Sequence, residues 1–187
     1  MIYVTAILLS MSVILVVNVL FGANALTVLW QVSLLTVAVI AVDGIFAALI
    51  RLLPARLMRY DRRFFAVGER ENAFYRRIGV KAWKPIVPDL GCFTKFPKNH
   101  LLDPRDPAYT GRYLLEAAYG IVIHLANMAV GFLILPILPE VALTVALPVA
   151  CVNFLLSLLP VFVLRSNFPA LIRLHRYNER RTTHAGA

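Results

Sequence analysis

The amino-acid sequence predicts an all-α integral membrane protein with about four transmembrane helices and a cytoplasmic insertion that is amphipathic and partly irregular. The 187-residue chain is 60% hydrophobic and only 16% charged, whereas soluble domains have about 25% charged residues. All 19 Lys and Arg lie in two blocks, residues 51–112 and 165–181, and the formal net charge is +9. Apolar stretches long enough to cross a bilayer alternate with these blocks, which is typical of a polytopic membrane protein. The position of the charges favours membrane lipids, not nucleic acid, as the partner of the basic blocks.

Residues 1–53 are predicted to form two N-terminal transmembrane helices. The stretch from Ile2 to Phe21 meets the length of about 20 apolar residues that a span requires. Residues 22–24 interrupt it, and a second stretch runs from Ala25 to Val42 and continues past Asp43 toward the end of this segment. Cleavage of the first stretch as a signal peptide is the alternative, and the lack of a Lys or Arg before that stretch argues against it.

Residues 54–112 are predicted to be a basic cytoplasmic segment at the membrane interface. In its first half, apolar and aromatic residues recur at about every third or fourth position with arginines between them, which indicates one or two amphipathic helices. Trp83 and Lys84 are expected to anchor this segment at the interface. Proline and glycine recur through residues 85–108 and predict an irregular stretch rich in turns.

Residues 113–164 are predicted to form two further transmembrane helices, and residues 165–187 a basic cytoplasmic tail. The third span runs from Tyr113 to Leu135. After a short turn, the fourth span runs from Val141 to Leu164 and contains two prolines. Proline is tolerated in a membrane helix where neighbouring helices satisfy the carbonyls that it leaves free.

The orientation follows from the charges of the connections. Four spans put both termini on one side of the membrane. The connections at residues 22–24 and 136–140 contain no Lys or Arg. The positive-inside rule therefore places both termini and residues 51–112 in the cytoplasm, as parts of a multi-pass protein of the cell membrane.

Glu116 and His124 are the candidate catalytic residues, because ionisable groups inside a membrane helix are costly and usually face a cavity or a partner. On an α-helix they are about 12 Å apart along the axis and about 80° apart in rotation, so they share one broad face without touching. One interpretation makes His124 a general base and Glu116 an orienting group. The other makes Glu116 an interfacial residue and His124 a hydrogen-bond partner of Asn153 or another polar group. No zinc or phosphate-loop motif is present, so no metal is predicted, and His175 in the tail is expected at the surface.

Three stretches of the chain carry ordered motifs. The first reads Glu69-x-x-Asn72-x-x-Tyr75, then Gly79-Val80-x-x-Trp83-Lys84, then Pro88 and Gly91. The second is Glu116 with His124. The third reads Asn167-x-Pro169, then His175-Arg176-Tyr177-Asn178-x-x-Arg181. Their order and spacing resemble the glycosyl-4,4'-diaponeurosporenoate acyltransferase family, the terminal acyltransferases of staphyloxanthin-type carotenoid synthesis.

Six positions depart from the family's pattern. In the second motif, Ala117 and Tyr119 stand where the family has threonine and arginine. Asn72 stands where glycine is usual, and Ile121 stands where the family has a glutamate three residues before the histidine. In the third motif, His175 replaces a glutamine and Glu179 replaces an arginine.

The resemblance implies a membrane enzyme that esterifies a sugar hydroxyl of a glycosylated carotenoid or related glycolipid with a fatty acyl group. It implies that His124 deprotonates the acceptor hydroxyl and that Glu116 orients the base or the sugar. The donor is expected to be acyl-CoA or acyl carrier protein, with no bound cofactor. The residues expected to bind substrate or position it at the interface are Trp83, Lys84, Arg176, Tyr177 and Asn178.

A non-enzymatic subunit is the alternative. Ile121 in place of the family's acid favours a membrane assembly or lipid-binding protein that uses the same basic face to hold a partner. Product analysis separates the two functions, because only the enzyme forms a more lipophilic ester.

Overall fold

The computed structural model describes residues 2–87 and 101–185, with side chains through residue 182. It is 86% helical, with no strand among the described residues. The α-helices of these ranges are α1 (Ile2–Leu20), α2 (Ala25–Arg51), α3 (Glu69–Arg77), α4 (Val80–Trp83), α5 (Pro107–Val130) and α6 (Leu147–Ala185). Four helical stretches are long and apolar enough to cross a membrane: Ile2–Leu20, Ala25–Arg51, Pro107–Ile137 and Pro139–Thr182. The predicted all-α fold with four spans is confirmed.

The chain divides into two compact units. The first unit comprises Met1–Leu52 and Ile123–Leu159, and the second unit comprises Leu53–Val122 and Pro160–Ala187. Helices α5 and α6 each contribute residues to both units. The motif residues Pro88 and Gly91 lie outside the described residues, as do residues 88–100 of the predicted irregular stretch.

The core of the first unit is built from aliphatic side chains of α1, α2 and α6, of the 3₁₀ stretch Gly131–Ile137 and of the π-helical turn Ala142–Ala146. Val32 and Leu35 are fully buried in it. The break between α1 and α2 has a local cause. Gly22 adopts a φ of 91°, a left-handed conformation that glycine adopts without strain. The Asn24 side chain then caps α2, since its Oδ1 accepts hydrogen bonds from the backbone N–H groups of Leu26 and Thr27.

Two polar side chains of α1 satisfy carbonyls that prolines leave free. Because proline has no N–H, Pro148 and Pro160 each leave the carbonyl four residues earlier without its helical donor. Asn18 Nδ2 donates to the Thr144 carbonyl at 3.0 Å. The Tyr3 hydroxyl donates to the Leu156 carbonyl at 3.3 Å. The prolines of the fourth span are thus accommodated by a neighbouring helix.

The second unit begins with short helices instead of the one or two longer amphipathic helices that we predict from the pattern. Two 3₁₀ turns, Ala55–Met58 and Arg63–Phe65, precede α3. Gly79, at a φ of 66°, separates α3 from α4. Glycine at this position ends α3 and keeps the two helices short.

The third helix begins earlier than predicted. It starts at Pro107 and not at Tyr113. The Asp106 carboxylate accepts hydrogen bonds from the backbone N–H groups of Ala108 and Tyr109 at 2.9 and 3.0 Å. An aspartate cap followed by proline is a favourable helix start, so α5 begins before the apolar stretch does.

The fourth helical stretch, Pro139–Thr182, extends beyond the predicted span from Val141 to Leu164 at both ends. A π-helical turn, Ala142–Ala146, precedes α6, and α6 continues through the basic tail as far as Ala185. Its 39 residues correspond to about 58 Å of helix, which is about twice the thickness of a hydrocarbon core. A large part of α6 must therefore lie outside the hydrocarbon if the helix crosses a bilayer.

Candidate functional site

A cluster of polar side chains lies within the first unit, between helices that are otherwise apolar. Asn153 of α6 donates a hydrogen bond from Nδ2 to Oδ1 of Asp43 on α2 at 3.3 Å. The same amide nitrogen lies 3.3 Å from the backbone carbonyl of Asn127 on α5. Asn127 is only 8% exposed, and its Oδ1 has no hydrogen-bond partner within the described part of the chain. Three helices thus bring their polar groups to one place, as expected for polar groups in a membrane protein.

A glycine makes the close approach of Asn153 possible. A Cβ atom at Gly131 would lie 2.5 Å from Asn153 Nδ2, a distance that real Cβ atoms essentially never show. His124 lies one turn before Asn127 on α5 and is half-buried. Residues three apart are neighbours on a helix surface, so His124 belongs to the same region of the first unit.

Arg165 organises a second polar cluster, in the second unit. Its Nε lies 2.5 Å from Oε1 of Glu71, and its Nη2 lies 2.9 Å from Oε2. The guanidinium also donates to the carbonyls of Phe64 and Ala66 at 3.1 and 3.2 Å. The fork geometry of arginine suits this two-point contact with a carboxylate. Arg165 therefore connects α6 to α3 and to the chain that precedes it.

This cluster changes the pKa values of two side chains on α3, Glu71 and Tyr75. The hydrogen bond from Arg165 holds the pKa of Glu71 below its ordinary value. The hydroxyl of Tyr75 donates to Oε1 of Glu71 at 2.6 Å. Burial, followed by this bond to a carboxylate, raises the pKa of Tyr75 to about 12. Glu71 is therefore held ionised and Tyr75 neutral near pH 7.

His175 lies in a third polar group, also in the second unit. The expectation that His175 is a surface residue is wrong, because it is only 7% exposed. Its Nδ1 lies 3.0 Å from Oγ1 of Thr110 on α5, and its Nε2 lies 3.3 Å from the Glu179 carboxylate. The ring of Tyr60 contacts the imidazole edge-to-face, with the centroids 5.4 Å apart. The C-terminal part of α6 carries this histidine on its buried face.

The comparison with family models decides the identity of the chain. The model of the glycosyl-4,4'-diaponeurosporenoate acyltransferase family matches residues 58–180. The chain belongs to this family. No curated protein and no solved structure matched the chain.

Membership in the glycosyl-4,4'-diaponeurosporenoate acyltransferase family indicates an acyltransferase of carotenoid biosynthesis. Four apolar helices of sufficient length agree with a membrane protein. The matched range contains every candidate site residue that the sequence predicts, as well as Arg165 and His175. Asp43 of the first polar cluster lies outside that range.

The two candidate catalytic residues lie on one helix of this acyltransferase. Glu116 and His124 are both half-buried on α5. Glu116 belongs to the second unit and His124 to the first. Their positions on α5 correspond to about 12 Å of helical rise. Ile121 between them is fully buried, so this position contributes packing where the family has an acid.

The predicted binding residues fall into two groups. On α4, the indole Nε1 of Trp83 donates to the Ile78 carbonyl at 3.1 Å, and the adjacent Lys84 is exposed. On α6, Arg176 and Tyr177 are exposed, whereas Asn178 is only 3% exposed. Asn178 Nδ2 donates to the Pro104 carbonyl at 2.9 Å, so its amide holds the chain that leads into α5.

Sequence reasoning did not assign roles to Asp43, Arg165 or His175. A signal existed for Asp43, the single charged residue among the first 50. Its partner Asn153 lies 110 positions away in the chain. Arg165 is 94 positions from Glu71. Such pairs have no local spacing that a sequence pattern can reveal.

Proposed function

We propose that this protein is a membrane acyltransferase that esterifies a sugar hydroxyl of a glycosylated carotenoid with a fatty acyl group. The match of the family model to residues 58–180 carries the proposal, because that range contains all the candidate site residues. The acyl donor is a thioester, either acyl-CoA or acyl carrier protein. The basic segment and both termini face the cytoplasm, where these donors occur, in agreement with the positive-inside rule.

Transfer of the acyl group to the acceptor hydroxyl requires one general base. His124 takes the proton of the acceptor hydroxyl while the acceptor oxygen forms a bond to the acyl carbon. The carbon–sulfur bond of the thioester then breaks, and the proton passes to the leaving thiolate. Histidine suits this step because its ordinary pKa of about 6.5 lies near the operating pH. Glu116, on the same helix, orients the base or the sugar.

The remaining candidates bind the substrates. Arg176 and Tyr177 offer a guanidinium and an aromatic ring on the exposed face of α6. Asn178 fixes that part of α6 through its bond to the Pro104 carbonyl. Trp83 and Lys84 place α4 at the membrane interface, where indole rings and lysine head groups are favoured.

Product analysis in membranes tests the proposal. Membranes that contain the protein are incubated with a glycosylated carotenoid and an acyl-CoA. The pigments are then separated by chromatography, and their masses are measured by mass spectrometry. We expect an ester whose mass exceeds that of the acceptor by one fatty acid less one water. His124→Ala should lower its rate by about 100-fold or more, since general-base catalysis contributes about 10²–10⁴-fold.

Two controls make this result interpretable. His184→Ala removes another histidine and should leave the rate unchanged. Acyl carrier protein loaded with the same acyl group replaces acyl-CoA to identify the donor. An unchanged rate in His124→Ala would remove the proposed base.

One observation favours a second candidate function. Ile121 is fully buried where the family has an acid, so a carboxylate–imidazole pair cannot form at that position. A membrane subunit that binds lipid without catalysis agrees with this loss. If neither donor gives an ester while the protein is folded and bound to membranes, this second function replaces the first.

A further inference from the structure

Thr110, His175 and Glu179 form a line from the interior of the second unit to its surface. Thr110 is 2% exposed and His175 is 7% exposed. The Glu179 side chain is 52% exposed. Imidazole nitrogens contact both neighbours, at 3.0 Å to the Thr110 hydroxyl and at 3.3 Å to the carboxylate. Two buried residues thus hold one exposed carboxylate.

The favoured protonation forms of His175 direct an N–H group at the Glu179 carboxylate. A neutral imidazole carries one N–H, and an imidazolium carries two. A proton on Nε2 is directed at the carboxylate, and the Thr110 hydroxyl then donates to Nδ1. The imidazolium donates to both neighbours, and the Thr110 hydroxyl is then directed at the carbonyls of Asp106 and Pro107, which lie at 3.0 and 3.2 Å. The remaining tautomer sets a lone pair against a carboxylate and is disfavoured. Both favoured forms orient Glu179.

The imidazole ring has little freedom to leave this position. A Cβ atom at Gly111 would lie 3.1 Å from Cε1 of His175, closer than most Cβ contacts, so the ring packs tightly against this glycine. On another side, the Tyr60 ring meets the imidazole at an interplanar angle of 86°. The carboxylate that His175 contacts is therefore held in a defined direction.

Two exposed arginines flank Glu179 on α6. They are Arg176 and Arg180. Residues three apart on a helix are about 60° apart in rotation, so Arg176 and Glu179 are neighbours, and Arg180 lies about 40° beyond Arg176. Tyr177 lies about 160° from Glu179, on another side of the helix. The surface beside Glu179 thus offers a carboxylate that accepts hydrogen bonds and guanidinium groups that donate them.

This mixture of groups matches a neutral sugar better than a phosphate. A sugar hydroxyl both donates and accepts hydrogen bonds, so it can bond to the carboxylate and to the guanidinium groups together. A phosphate only accepts hydrogen bonds at neutral pH, and the Glu179 carboxylate repels its charge.

We propose that Glu179, with Arg176 and Arg180, forms the binding site for the sugar head group of the acceptor. His175 and Thr110 are positioning residues that orient the carboxylate. The inference rests on the proposed function and deepens it, since it names where the sugar binds. Two of these residues, His175 and Glu179, are the positions at which the third motif departs from the family pattern.

Binding of a fluorescent alkyl glucoside to the full chain in lipid nanodiscs tests the site. The same dye and alkyl chain with a phosphate head group serve as the second probe. We expect Glu179→Gln to weaken glucoside binding by about tenfold or more, since it removes hydrogen bonds to a charged group. Phosphate binding should be unchanged or tighter, because a negative charge is lost.

Variants of His175 separate positioning from charge. His175→Gln keeps a donor toward Glu179 and an acceptor for Thr110, so it should bind the glucoside within about threefold of wild type. His175→Ala removes both and should weaken binding nearly as much as Glu179→Gln. The control Glu140→Gln changes an exposed acid of the first unit and should have no effect.

The outcomes are decisive in both directions. Unchanged glucoside binding in Glu179→Gln overturns the proposed site, and so does an equal loss in Glu140→Gln. If the site is overturned while wild-type membranes still form the ester, only this inference fails. If Glu179→Gln weakens glucoside binding but no ester forms with either donor, the proposed function fails and the sugar site stands.

Discussion

Replacement of Arg165 is the sharpest test of how the second unit is held together. The guanidinium makes four hydrogen bonds, two to the Glu71 carboxylate and two to the carbonyls of Phe64 and Ala66. Arg165→Leu removes all of them and leaves a carboxylate that is 29% exposed without its cation. Arg165→Lys keeps the charge but not the fork geometry, so it should be an intermediate case.

The expected loss of stability in Arg165→Leu depends on how deeply the ion pair between Arg165 and Glu71 is buried. Breaking a fully buried ion pair from one side costs about 3–5 kcal/mol. Glu71 retains contact with solvent and its bond from Tyr75 at 2.6 Å, so we expect about 2–3 kcal/mol for Arg165→Leu and about half of that for Arg165→Lys. In a chain of this length, 1 kcal/mol shifts the Tm by about 2–4 °C, so the expected loss is about 4–12 °C for Arg165→Leu.

The pH dependence gives the prediction a second readout. Arg165 lowers the pKa of Glu71 in the folded protein, so its stabilisation is complete above the ordinary pKa of 4.5 and is lost as the pH falls through the lowered value. The difference in Tm between wild type and Arg165→Leu should therefore be constant near pH 7 and shrink in acid below pH 4.5.

The assay is thermal unfolding of the purified protein in one detergent, followed by circular dichroism. Glu71→Gln and the double variant complete a double-mutant cycle, whose coupling energy should be about 1–2 kcal/mol. A Tm of Arg165→Lys equal to that of wild type, or strictly additive single effects, would refute the reasoning.

Two further predictions concern the first unit, with the same unfolding assay. Gly131→Ala places a methyl group 2.5 Å from Asn153 Nδ2 and should cost about 1–3 kcal/mol, whereas Gly44→Ala, where a Cβ meets nothing within 4 Å, should be neutral or slightly stabilising. Equal effects of the two alanines would contradict this. Asn18→Leu removes the donor to the Thr144 carbonyl and should lower the stability by about 1–3 kcal/mol. A gain in stability would show that the carbonyl needs no such donor.

The spans and their order could be predicted because hydrophobicity and charge are local properties of the chain. A stretch of apolar residues favours the bilayer wherever its partners lie. The N-terminal bounds of α1 and α2 were predicted correctly for this reason, and the Gly22–Asn24 break is encoded by neighbouring residues. The family resemblance likewise rests on the order and spacing of motifs along the chain, and the match to residues 58–180 confirms it.

Helix ends beyond the apolar stretches were harder to predict. The sequence pattern ended the fourth span at Leu164, yet α6 continues to Ala185. Beyond Leu164, polar residues of α6 find partners that are distant in the chain: Arg165 bonds to Glu71, and Asn178 bonds to the Pro104 carbonyl. A local pattern detects the end of the apolar stretch but not these partners.

The sequence by itself determined that this is a basic, four-span membrane protein and indicated its family. Only the tertiary structure decided which polar groups meet. It paired Asp43 with Asn153 and Arg165 with Glu71, and it buried His175 between Thr110 and Glu179. The physical reason is that a polar group in an apolar surrounding requires a partner, but its chemistry does not specify where in the chain that partner lies.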